Sequence, residues 1–128
     1  DGSDVAIVAA GLLVPEAIRA EAMLRREGID ASVLDMHTVK PADTQAIAEI
    51  ARETGAVVTV EDHSILGGLG GTVAEIVSRH APVPVVMIGI RDRFGESGDL
   101  YELMEIYGLT ARHIADAARE VIRLKERA

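Results

Sequence analysis

The residues best suited to chemistry lie together near the middle of the chain. A β-rich run, Ala56–Val60, leads into Glu61, Asp62 and His63, and four glycines follow at Gly67, Gly68, Gly70 and Gly71. Two carboxylates and an imidazole at a strand end are the groups a proton-transfer site uses. Glycines at the start of a helix let backbone N–H groups approach an anion, as phosphate-binding turns do. Each chemistry has further requirements. A phosphate loop needs Gly-Lys-Ser/Thr, and Gly71-Thr72 lacks the lysine. A dinucleotide fingerprint belongs after the first strand. This run follows the third, with Val73 where the last glycine should stand. Ser64 has no nucleophile-elbow context, and His37, His63, His80 and His113 have no metal-ligand spacing. The residues therefore favour a tight turn with close helix–sheet packing, or an interface that another backbone approaches.

The elements around this segment alternate in period. Asp4–Ala10, Ala31–Met36, Ala56–Val60 and Val85–Gly89 are short and almost continuously apolar, the signature of strands buried on both faces. Helical spacing runs over Pro15–Glu27, Ala42–Thr54 and Thr72–His80, and Gly28 and Gly55 act as stops for the first two. His80 falls on an apolar helix face, which predicts a packing role. Asp99 with Glu102 forms a capping box for a further helix ending at Gly108, and the last helix starts near Thr110. This order predicts a three-layer α/β/α domain with a mainly parallel sheet of four strands in the order 2-1-3-4. The winding then reverses between strands 1 and 3, where ligands bind in such sheets. Gly11–Val14 and Glu61–Gly71 flank that reversal. The first of these loops offers no polar side chain.

Composition narrows the classes. The chain has 128 residues, 48% hydrophobic and 2% aromatic, so its core is built from aliphatic side chains. It has no cysteine, which excludes disulfides and thiolate chemistry. The net charge is −8, and the best basic cluster (Arg119, Arg123, Lys125, Arg127) suits a helix C-terminus. Neither nucleic acid nor an anionic membrane is an expected partner. The longest apolar run, Val5–Val14, is about half the ~20 residues of a membrane span, and a cytoplasmic location is the default. Phe94, the one phenylalanine, sits in a polar, glycine-bounded loop. It is either an anchor for a neighbouring surface or a cover for the sheet end.

Lys40-Pro41-Ala42-Asp43, EDHSILGGLGG from Glu61, GIRDRFGESG from Gly89 and YGLTARHI from Tyr107 occur in that order. Together they resemble the C-terminal domain of transketolase-type thiamine diphosphate enzymes, most of all the second subunit of split transketolases. The resemblance spans essentially the whole chain. It implies a single domain over residues 1–128, part of a longer chain or assembly, whose parent moves a two-carbon ketol unit between sugar phosphates. In that family thiamine diphosphate and a divalent metal bind in other domains. This segment is therefore expected to bind neither and to hold no catalytic residue. It would serve assembly with preceding domains or a partner transketolase subunit, in a homo-oligomeric (dimeric) parent. Glu61, Asp62, His63, Gly67, Gly68 and Gly70, with Phe94, Gly95, Glu96 and Ser97, are its candidate interface or crevice residues. Two alternatives are kept. The parent is another enzyme of the superfamily, 1-deoxyxylulose-5-phosphate synthase or a 2-oxoacid dehydrogenase β subunit; or the chain is a free-standing flavodoxin-like module for a small ligand. The family sheet also tends to carry an antiparallel strand upstream, so Ala31–Met36 is expected here as an open edge.

Overall fold

A computed structural model describes residues 3–36, 41–62, 68–90 and 111–127. Strand β1 (Val5–Ala9) leads through a 3-10 turn at Gly11–Leu13 into helix α1 (Val14–Arg26). Then come β2 (Ala31–Asp35), α2 (Pro41–Thr54), β3 (Val57–Asp62), α3 (Leu69–His80), β4 (Val85–Ile90) and α4 (Ala111–Arg127). The strands form one sheet in the order β2-β1-β3-β4, and every pairing is parallel. The predicted strand order and the reversal between β1 and β3 are both present. The capping-box helix expected after Asp99 and the loop around Phe94 lie outside the described residues.

Strand parity sorts the core into two layers. Val5, Ile7, Val58 and Val60 face α1 and α4, packing against Leu24, Ile114 and Val121. Ala6, Val8 and Val57 face α2 and α3, packing against Ile47, Val73 and Val77. All five residues of β1 are fully buried, as a central strand covered on both faces must be. β2 pairs only with β1 among the described residues, so the expected edge is present. His80 differs from expectation: it is exposed at the last turn of α3, where its carbonyl accepts a hydrogen bond from Arg52. The apolar stripe of α3 is complete with Val73, Ile76 and Val77, so the packing needs no histidine.

Polar contacts tie α4 to the other elements. Arg119 donates through Nε to Glu27 Oε1 at 2.9 Å and through Nη2 to Glu27 Oε2, and this pairing holds the Glu27 carboxyl below the usual carboxylate range. At the opposite end of the sheet from the reversal, Lys125 Nζ donates to the Thr54 carbonyl at 2.7 Å and to the Asp4 carbonyl at 3.3 Å. One half-buried ammonium thus serves the C-terminus of α2 and the approach to β1. Lys125→Met keeps the stem and removes the donors. It should lower stability by about 1–2 kcal/mol in urea unfolding, and an unshifted midpoint would show the contact to be idle.

Candidate functional site

Glu61 is the predicted site residue whose side chain the structure defines most fully. It shares the face of Val57 and Thr59, which turns it under α3, and it is only 5% exposed. Its Oε1 accepts the Gly68 N–H at 2.9 Å, and its Oε2 accepts the Gly70 N–H at 2.7 Å. These donors belong to the N-cap and the first turn of α3, whose N–H groups have no helical carbonyl to serve them. A carboxylate there also meets the positive end of the helix dipole. Hydrogen bonds to a charged group contribute about 1.5–3 kcal/mol each, so Glu61 is a strong cap supplied from a neighbouring strand.

This cap explains where the elements begin and end. The helical pattern predicted a start at Thr72, yet α3 begins at Leu69, and Gly70 and Gly71 sit inside its first turn. Glycine at helical positions costs about 0.8–1 kcal/mol relative to alanine, a cost the Glu61 bonds offset. Gly68 enters the helix with φ +100, in the left-handed region that glycine adopts readily. Gly70 is required for a different reason. A Cβ there would lie 2.8 Å from Glu61 Oε2 and 3.0 Å from both Met87 Sδ and Thr59 Oγ1. The helix start therefore rests directly on β3. That strand also runs two residues beyond Val60, because Glu61 and Asp62 pair in register with Gly89 and Ile90 of β4.

The arrangement has a clear chemical meaning. The N-terminus of α3 is the natural seat for a phosphate or carboxylate at this end of the sheet. The chain fills it with its own carboxylate. Both oxygens of Glu61 are engaged with backbone donors, which is how a structural anion is held. Across the reversal, the turn Gly11–Leu13 buries Leu13 and has no side-chain donor. Asp62 ends β3, and its side chain lies outside the described residues, as do His63, Gly67, Phe94, Gly95, Glu96 and Ser97. Glu61, Gly68 and Gly70 are thus the predicted residues that the structure brings together.

Three further features escaped the sequence reading. Glu16, in the first turn of α1 at the same end of the sheet, is buried at 7% exposure and pairs with Arg19 at 2.9 Å. Thr59 is fully buried beside the cap. Alongside β2 runs a groove of about 870 Å³, lined by Ile18, Val33 and Ile50 together with Glu21, Glu49 and Glu53. Only the acidic first turn of α1 gave a sequence signal, through Glu16 after Pro15. Among the described residues no group of three His, Cys, Asp or Glu side chains could hold a metal ion, and no helix is long and apolar enough to cross a membrane.

The sequence and the fold together place the chain in a known class. Residues 1–114 match the family described as transketolase, C-terminal domain, and the chain belongs to that family. It is similar to the 6-deoxy-6-sulfo-D-fructose transketolase subunit SqwH of Clostridium sp. (strain MSTE9), with 48% identity over 98% of this chain and 39% of that protein. It is similar also to a 1-deoxy-D-xylulose-5-phosphate synthase of Heliobacterium modesticaldum, with 44% identity over 94% of this chain and 19% of that one. A solved structure titled as a split gene transketolase, inactive beta4 tetramer, superposes with a TM-score of 0.84 at 50% identity, covering 98% of this chain and 41% of the other. The chain therefore spans about two fifths of the length of the SqwH subunit and of the split gene transketolase chain, and the resemblance to split transketolase subunits holds.

Proposed function

We propose that this chain is the C-terminal assembly domain of a transketolase-like enzyme that transfers a two-carbon ketol unit between sugar phosphates. The filled seat at α3 carries the reading. Among the described residues, the best anion site at the strand ends is occupied by Glu61 and is not open to a diphosphate. The described residues do not fit thiamine diphosphate and its divalent metal, which the family implies. The helix terminus at α3 is taken, and among the described residues no acidic or histidine cluster stands ready for the metal. Those groups belong to other segments of the parent, and no step of the chemistry runs through this one. The outer edge of the sheet at β2, which pairs with no strand but β1 among the described residues, and the groove beside it, where Ile18 is 53% exposed, support contact with preceding domains or a partner subunit. Under this reading the cap residues, with Asp62, His63, Gly67 and Phe94-Gly95-Glu96-Ser97, belong to an interface in a homo-oligomeric parent.

Calorimetry of the chain with thiamine diphosphate and Mg²⁺ is expected to give no binding heat. The melting temperature should stay unmoved, since a ligand at about 100 times its Kd adds about 2.7 kcal/mol. Binding by the chain alone would sink the proposal. A second reading rests on the likeness to 1-deoxy-D-xylulose-5-phosphate synthase. Assaying the complete enzyme for that product, against ketol transfer between sugar phosphates, separates the two parents.

A further inference from the structure

Thr59 poses a physical puzzle. It is fully buried, and its hydroxyl has no hydrogen-bond partner among the described residues. Leaving a buried donor bare is destabilising, a cost that isosteric valine avoids. Met87 lies directly opposite Thr59 in the β3–β4 register and is 57% exposed. The other described methionines are better protected: Met36 is buried and Met23 is partly buried against the core. Met87 Sδ and Thr59 Oγ1 each stand 3.0 Å from the point a Gly70 Cβ would occupy. The thioether therefore reaches in from the surface, over the first turn of α3, and faces the unused hydroxyl across the space that glycine leaves.

We propose that Met87 is a site of reversible oxidation to methionine sulfoxide, with the Thr59 hydroxyl as the donor that receives the sulfoxide oxygen. The oxidant is hydrogen peroxide. A sulfur lone pair attacks one peroxide oxygen, the S–O bond forms as the O–O bond breaks, and the second oxygen leaves as water with both protons. Sulfur loses two electrons and the peroxide gains them. A dithiol reductase reverses the change, forming a disulfide and water. The new oxygen carries partial negative charge. It is drawn to the Thr59 hydroxyl and to the N-terminal end of α3. The Glu61 carboxylate, 2.8 Å from the same point, repels it and so directs it toward Thr59. Oxidation thereby satisfies one buried donor while pressing on the Glu61 cap, which couples the redox state of an edge strand to the start of α3.

The test treats the full chain with hydrogen peroxide and follows each methionine by peptide mass spectrometry. Met87 should oxidise about tenfold faster than Met36, in line with its exposure. Oxidation of Met36 or Met23 at the same rate overturns the assignment. The donor role is read from urea unfolding of oxidised and reduced protein. In Thr59→Val, oxidation should lower the folding equilibrium constant about fivefold to tenfold more than in the wild type, the value of one hydrogen bond. Thr59→Ser, which keeps the hydroxyl, should behave as wild type, and Met87→Leu should show no peroxide response. Equal losses in wild type and Thr59→Val would overturn the proposal.

Discussion

Glu61→Ala is expected to lower the unfolding free energy by about 3 kcal/mol, the largest effect of any single polar truncation at the strand-end site. Three losses add. The Gly70 N–H is buried and loses its 2.7 Å acceptor, so it becomes an orphan donor. The Gly68 N–H, at an exposed residue, can turn to water and loses less. The helix terminus also loses a facing negative charge, which contributes about 0.3–2 kcal/mol depending on burial. Glu61→Gln keeps the shape and one carbonyl oxygen, but its amide nitrogen would face a second N–H. Its cost should fall between wild type and alanine. Urea unfolding measures the free energies, and hydrogen exchange at Gly70 reports the local event. An alanine variant within 0.5 kcal/mol of wild type would mean that the carboxylate is not the cap.

Gly70→Ala sets two opposing effects against each other. Alanine favours the helical backbone by about 0.8–1 kcal/mol. Its methyl, however, meets three atoms at 2.8–3.0 Å, against which overpacking costs about 1–3 kcal/mol. The nearest of these, Glu61 Oε2, is the acceptor for the same residue's N–H and cannot retreat without breaking that bond. Clash and lost bond together exceed the propensity gain, and a net loss of about 2–3 kcal/mol is expected. Gly71→Ala is the matched control. It lies one residue on in the same helical turn, with nothing within 4 Å of its added Cβ. That substitution should be neutral or stabilising by up to about 1 kcal/mol. If thermal melts move alike for the two variants, α3 does not rest on β3 as described.

If the chain serves assembly as proposed, Glu61 and Gly70 variants should weaken association with partner segments in proportion to how far they loosen the start of α3, which co-purification with a partner subunit would measure. Lys125, at the opposite end of the sheet, should affect stability without that coupling.

Much of this molecule was legible in its sequence. Continuous aliphatic runs such as Val5–Ala9 read as strands covered on both faces, because alternation is lost when both faces are buried. Four such runs separated by helical spacing leave few topologies, and the order 2-1-3-4 with its reversal followed from them. The motif order from Lys40 to Ile114 carried the family, now matched over residues 1–114. The missing lysine after Gly71 and the apolar turn Gly11–Val14 already argued against a phosphate seat.

Tertiary structure decided what the charged and polar residues do. Strand parity placed Glu61 with Val57 and Thr59, yet nothing local could say which helix would lie over that face or how near. The Glu61 carboxylate meets donors seven and nine residues away, at a distance fixed by how closely α3 approaches β3. Among the described residues the buried Thr59 hydroxyl has no partner, and pairing with a strand more than twenty residues downstream brought Met87 to the same corner. Composition and periodicity describe how a segment satisfies itself. Where a buried donor finds its acceptor depends on packing between segments, which is why Glu61 reads as chemistry in the sequence and as a helix cap in the fold.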